Sequence, residues 1–153
     1  MGNRAVITAS KSRDVAKSND IGIYLHWNGG RDSVEAFLKY CELKKYRSPS
    51  EDNYGWARLC QVIGNYIGGT TSIGIDRCCR LDCDNYDNGV YIIKGWKIVG
   101  RRYHNSTEQH CYNLLKMLID IDKAQPTKEQ LGEGRIKTLL EEYENETKIK
   151  YNC

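Results

Sequence analysis

The chain has 153 residues and a formal net charge of +3, with 40% hydrophobic and 28% charged residues. These totals describe a globular chain long enough for one proper core, and they exclude both a disordered chain and a protein that holds nucleic acid by bulk charge alone. No apolar run approaches the roughly 20 residues that cross a bilayer, and the opening MGNRAVITASKSRD has no apolar h-region, so no membrane association is expected and a cytoplasmic location is. Eleven Tyr and three Trp stand against a single Phe, so most aromatic rings carry a polar edge that suits a half-buried position.

In chain order, residues 4–8 (RAVIT) and 21–27 (IGIYLHW) have the composition and alternation of two strands, joined by the polar, turn-rich KSRDVAKSND as a loose hairpin. The period then changes. Asp32 with Glu35 three residues on resembles a capping box, and Val34, Phe37, Leu38 and Cys41 follow at helical spacing, predicting a helix over 33–45. Pro49 breaks the chain, and Trp56, Leu59, Cys60, Ile63 and Ile67 mark a second helix from Ser50 to Tyr66, ended by Gly68-Gly69. Thr70 to Cys79 reads as a strand. Residues 89–103 read as a hairpin turning at Lys94-Gly95, with Ile93 facing Trp96, Tyr91 facing Ile98, Val90 facing Val99 and Ile92 facing Lys97. Both sides of that pairing are apolar, which predicts a central place in the sheet. Ser106 or Thr107 is the expected cap of a helix through Lys123 that buries Cys111, Leu114, Leu115 and Leu118. Pro126-Thr127 with Gln130 opens a last helix, interrupted by Gly132 and Gly134, and the tail after residue 145 is expected to fray. The expected architecture is a single α+β domain over 1–153: a mainly antiparallel sheet of about five strands packed with about four helices.

Three stretches are candidates for chemistry. The first is His26-Trp27-Asn28-Gly29-Gly30-Arg31, a strand-to-helix turn. Its glycines allow close backbone approach, the next helix offers free N–H groups to an anion, Arg31 offers a bidentate contact and Trp27 a stacking face. Against this, Asn-Gly-Gly is ordinary turn chemistry, and Asp32 satisfies the helix N–H groups that an anion would need. The second, Asp82 to Gly89, suggests a calcium loop, but Tyr86 occupies a ligand position and no closing Glu follows, so a polar turn is the better reading. The third, Lys94, Lys97, Arg101, Arg102 and Tyr103, interleaves cations with aromatics as a nucleic-acid surface does, although Trp96 within it falls on the apolar side.

No catalytic residue is assigned. His26, His104 and His110 have no adjacent nucleophile signature, and neither G-x-S-x-G nor H-E-x-x-H occurs. Of the seven cysteines, Cys78, Cys79 and Cys83 lie close together and His110-Cys111 could add ligands. No C-x-x-C pair exists, however, and adjacent cysteines on a strand point to opposite faces, so neither metal nor cofactor is expected.

The run from GIYLHWNGGRDSVEAFLKYC through YGWARLCQVIGNYIGG and SIGID to LDCDNYDNGVYIIKGWKIVGR, residues 21–102, resembles small proteins encoded by phages, prophages and mobile elements of Firmicutes. That group carries no assigned activity, so the resemblance implies a setting in the host bacterial cytoplasm and no chemistry. Small phage proteins without catalytic motifs commonly act by binding. The resemblance therefore implies a non-enzymatic, anti-CRISPR-like inhibitor whose partner is a host bacterial defence protein. Its alternatives are a sponge for a nucleotide second messenger, using the His26–Arg31 turn, and a nucleic-acid-binding accessory protein, using the 94–103 hairpin.

Overall fold

The structure is a computed structural model and describes residues 2–49, 53–69 and 72–147. Five strands form one sheet: β1 (Ala5–Thr8), β2 (Ile21–Leu25), β3 (Ile73–Arg77), β4 (Val90–Lys94) and β5 (Lys97–Arg102), in the order β3-β2-β1-β4-β5. Every neighbour is antiparallel except β1 with β4, which run parallel. Helices α1 (Arg31–Leu43), α2 (Asn53–Ile67), α3 (Leu114–Ala124) and α4 (Glu133–Thr147) complete a single α+β domain. The expected helix start at Ser50, the expected strand start at Thr70 and the tail beyond 147 lie outside the described residues. Among the described residues, no helix is long and apolar enough to cross a membrane.

Alternation along β1 divides the interior in two. Ala5 and Ile7 face the helices and join Ile23, Leu25, Phe37, Leu59, Ile63, Tyr91 and Leu118 in the main core. Val6 faces the other way, into a small cluster with Val15, Cys78, Cys83 and Val90 that loops cover in place of helices. The 78–83 cysteines thus serve as core volume on that side: Cys78 and Cys83 are buried, Cys79 is exposed, and the Cys83 thiol points at the Cys78 carbonyl.

The hairpin departs from expectation in its turn and register. Gly95 and Trp96 form the two-residue loop, and Gly95 at φ 61 supplies the positive angle that a tight primed turn needs first, where Lys94 would be strained. Lys94 therefore pairs with Lys97 and Ile93 with Ile98. A bulge between Ile92 and Ile93 then sets Ile92 opposite Gly100, Tyr91 opposite Arg101 and Val90 opposite Arg102. The four expected pairs do not form. β4 is central, as expected of an apolar strand, but β5 is an edge strand, and Val99 is 61% exposed.

The α1 capping box is also absent. Gly30 caps the helix without a side chain, and Glu35 turns to Arg31 instead of reaching back. The third helix begins at Leu114, not near Ser106. Asn113 caps it by accepting the Lys116 N–H at 2.9 Å, and residues 104–113 run without a helix, leaving Cys111 at the surface. Gly132 precedes α4 at φ 88, so it serves the turn before that helix and does not interrupt it; Gly134 lies in its first turn.

That last turn depends on one buried carboxylate. Asp122, 2% exposed, accepts the Tyr40 hydroxyl at 2.6 Å and the Leu131 and Gly132 N–H groups at 2.7 and 2.9 Å, joining α1, α3 and the approach to α4. Burial, reinforced by Asp122, pushes the Tyr40 hydroxyl well above its ordinary range, so it stays a donor. Asp122→Ala leaves three donors without a partner and should lower unfolding free energy by roughly 3 kcal/mol in urea denaturation, while Asp122→Asn recovers part of the loss; equal stability of the alanine variant would show that the turn does not need the carboxylate.

Candidate functional site

The 26–31 turn is built to hold itself. The Asn3 N–H donates to the His26 carbonyl at 2.9 Å, and the Gly29 N–H donates back to the Asn3 carbonyl at 2.8 Å. A Cβ on Gly29 would lie 2.4 Å from that same carbonyl oxygen, so only glycine fits. Asn28 takes a left-handed φ of 56, its amide donates to Ser33 Oγ, and Tyr91 donates its hydroxyl to the Gly29 carbonyl at 2.7 Å. Gly30 caps α1, and the Asp32 carboxylate accepts the Ser33 N–H. His26 stands edge-on to Trp27 and bonds Tyr24 through Nδ1. Of the six residues, Trp27 alone presents a large free surface, at 45% exposure.

Arg31 is held between carboxylates. Its Nε donates to Glu35 at 3.1 Å, and its Nη1 lies 3.1 Å from Glu108, which also takes Arg101. Tyr112 donates to the same Glu35 oxygen. Arg101 in turn lies 3.8 Å over the Tyr91 ring and donates to the Asn88 carbonyl. This bridge fastens the irregular 104–113 segment to α1 and β5. It also uses up the charge that a phosphate would seek at Arg31.

Burial alone would raise the Glu108 carboxyl. The hydrogen bond and charge of Arg101, and then those of Arg31, outweigh it and hold Glu108 below its ordinary range. Its stabilisation is therefore present above the usual carboxylate range and lost as pH falls through the lower folded value. Glu108→Gln should lower stability by about 1–2 kcal/mol near pH 7, with the difference from wild type shrinking in calorimetry as pH falls below the ordinary carboxylate range; a pH-independent difference would assign the loss to packing.

The structure divides the basic hairpin between two faces. Arg101 is consumed in the bridge and Trp96 is buried, its indole N–H donated to the Tyr46 carbonyl at 2.9 Å. Lys97 turns toward Tyr143 on the helix side, and Tyr103 reaches Asp14 with its hydroxyl. Lys94 and Arg102 remain on the face the helices leave open. There they border a groove of about 470 Å³ with Lys11 and the 9–12 segment, floored by Ile92, Gly100 and Val99. No carboxylate lines it, and neither Lys11 nor Lys94 has an acidic partner among the described residues. Gly100 keeps the floor low, because a Cβ there would meet only Arg102 and Ile92 at ordinary contact distances of 3.4 Å or more.

The sequence reading missed Lys11, Val99 and Gly100. The available signal was Gly100, a glycine inside a strand pattern, which marks a bulge or a close approach. The 82–89 segment is a structural loop. Asn85 bonds Asp82, Asp87 and Gly89 from its centre, while Asp87 takes the Arg4 backbone N–H and guanidinium at 3.0 and 2.7 Å. Among the described residues, no group of three His, Cys, Asp or Glu side chains is arranged to hold a metal ion. No family model, curated protein or solved structure matches this chain.

Proposed function

We propose that the protein acts by binding, as a non-enzymatic inhibitor whose open sheet face takes an acidic, apolar-bearing segment of a host defence protein. One observation carries the reading: an apolar floor with Lys11, Lys94 and Arg102 around it and, among the described residues, no carboxylate, on the sheet face without a helix layer. Such a surface rewards a partner that brings negative charge at the rim and an aliphatic or aromatic side chain at the centre. The defence-protein identity rests on the resemblance to small phage proteins and on nothing in the geometry.

A nucleic-acid role has less support. It needs a continuous stripe of cations with free aromatic faces, whereas Arg101 is paired, Trp96 is buried and Lys97 lies on the opposite side. The nucleotide reading of the 26–31 turn has less still, since Gly29, Asp32 and Arg31 are each committed to neighbours.

Two variants test the groove without touching the core. Gly100→Val fills the floor with a residue strands favour, and Lys94→Glu with Arg102→Glu inverts the rim. In a host whose immunity the wild-type protein suppresses, both should reduce phage plating at least about tenfold while melting like wild type. Folded variants that protect phage as well as wild type would remove the groove as the interface.

A further inference from the structure

Away from the groove, the molecule carries a second concave surface that the proposed docking role does not use. Two hollows of about 400 Å³ and about 360 Å³ adjoin where α1 ends and α2 begins, and they share Tyr46 and Arg58. The larger is walled by Gln61, Asn65 and Lys128; the smaller by Lys45 and Tyr54, the latter 57% exposed. From these residues we infer a binding site for a nucleoside polyphosphate, with the ring in the larger hollow against Tyr46 and the phosphates in the smaller.

The charge is arranged for such a ligand. Among the described residues, Glu129 is the one carboxylate on either wall, and it is already engaged by Lys44, whose ammonium lies 3.8 Å from its carboxylate and also donates to its backbone carbonyl. Arg58 bonds only the neutral Gln61 oxygen at 2.7 Å, while Lys45 and Lys128 have no acidic partner among the described residues. That leaves Lys45 and Arg58 on the smaller hollow to hold the phosphates, with Lys128 on the adjoining larger one. The neutral groups suit the other half of the ligand. Gln61 accepts from Arg58 and keeps its amide N–H groups, and Asn65 donates to Gln125 and keeps its amide oxygen, so a donor and an acceptor face the larger hollow for a ring edge.

Backbone strain supplies an independent observation. The α1 terminus closes with the Tyr46 N–H on the Cys41 carbonyl and the Lys45 N–H on the Glu42 carbonyl. That pattern puts its left-handed residue at Lys45, φ 59, a position glycine fills most readily. A lysine held there is uphill for the fold, and its side chain lies on the wall of the smaller hollow. The strained closure thus holds a cation on the wall of the cleft, where glycine would serve the helix end at lower cost.

Titration calorimetry with ATP, tripolyphosphate and adenosine tests the site. ATP should bind one to one, with tripolyphosphate and adenosine each at least about tenfold weaker, since stacking and charge act together. Arg58→Gln and Lys128→Ala should each weaken ATP binding several-fold. Lys45→Gly separates ligand from fold: it should weaken ATP binding while melting no lower than wild type, because it relieves the left-handed strain. The groove variant Gly100→Val should bind ATP as wild type does, keeping this result apart from the docking reading. No heat and no thermal shift with millimolar ATP, tripolyphosphate binding as tightly as ATP, or unchanged affinity in the Lys45 and Arg58 variants would each overturn the inference.

Discussion

With all four helices stacked on one face, the sheet has to dispose of its other face without a second layer. It does so unevenly. Under β1, β2 and the start of β4, the opposite side is closed by loops that carry Val15, Cys78 and Cys83 down onto Val6 and Val90. Toward the tip of β4 and β5 the covering stops, and Ile92, Gly100 and Val99 meet water between basic residues. The groove is therefore the unfilled part of a burial problem that the helices answer only once. Its apolar content is small enough to leave a monomer tolerable and concentrated enough to reward a partner.

On the helix side the limiting problem is charge. Arg31 and Arg101 enter from α1 and β5, and each would be costly to half-bury alone; Glu108 between them and Glu35 beside them make the arrangement affordable. The carboxylate comes from a segment with no helix of its own. The 104–113 stretch owes its path to ion pairs and to the Tyr112 hydroxyl, which explains why its periodicity misleads.

Much of the fold was legible in the residues because local pattern and burial agree there. β-branched alternation marks β1 and β2, helical spacing of Val34, Phe37, Leu38 and Cys41 marks α1, and Gly68 at φ 73 stops α2 where the glycine pair predicts. The misreadings occur where a distant partner decides. Trp96 looks like a strand residue until its indole finds the Tyr46 carbonyl, which draws it out of the ladder and into the turn, and one bulge then changes every remaining pair. Arg31 looks like a free anion hook until the chain brings Glu108 to it. The groove was half legible: Lys94 and Arg102 stand in the basic run, but the floor needs the true register of Gly100 and the passage of Lys11 overhead.

The first strand made is the middle strand of the finished sheet. β1 can pair early with β2, its near neighbour in the chain, but its parallel partner β4 is separated from it by two helices and a third strand. Until β4 is available, Val6 and Ile7 keep an unsatisfied edge alongside, and the small cluster on the far face has no Val90 to close it. Closing that long loop carries the largest chain-entropy cost of any strand pairing in the sheet. A chain cut before Val90 would keep both of its first two helices and lose two of the five strands of the sheet that gives them a floor.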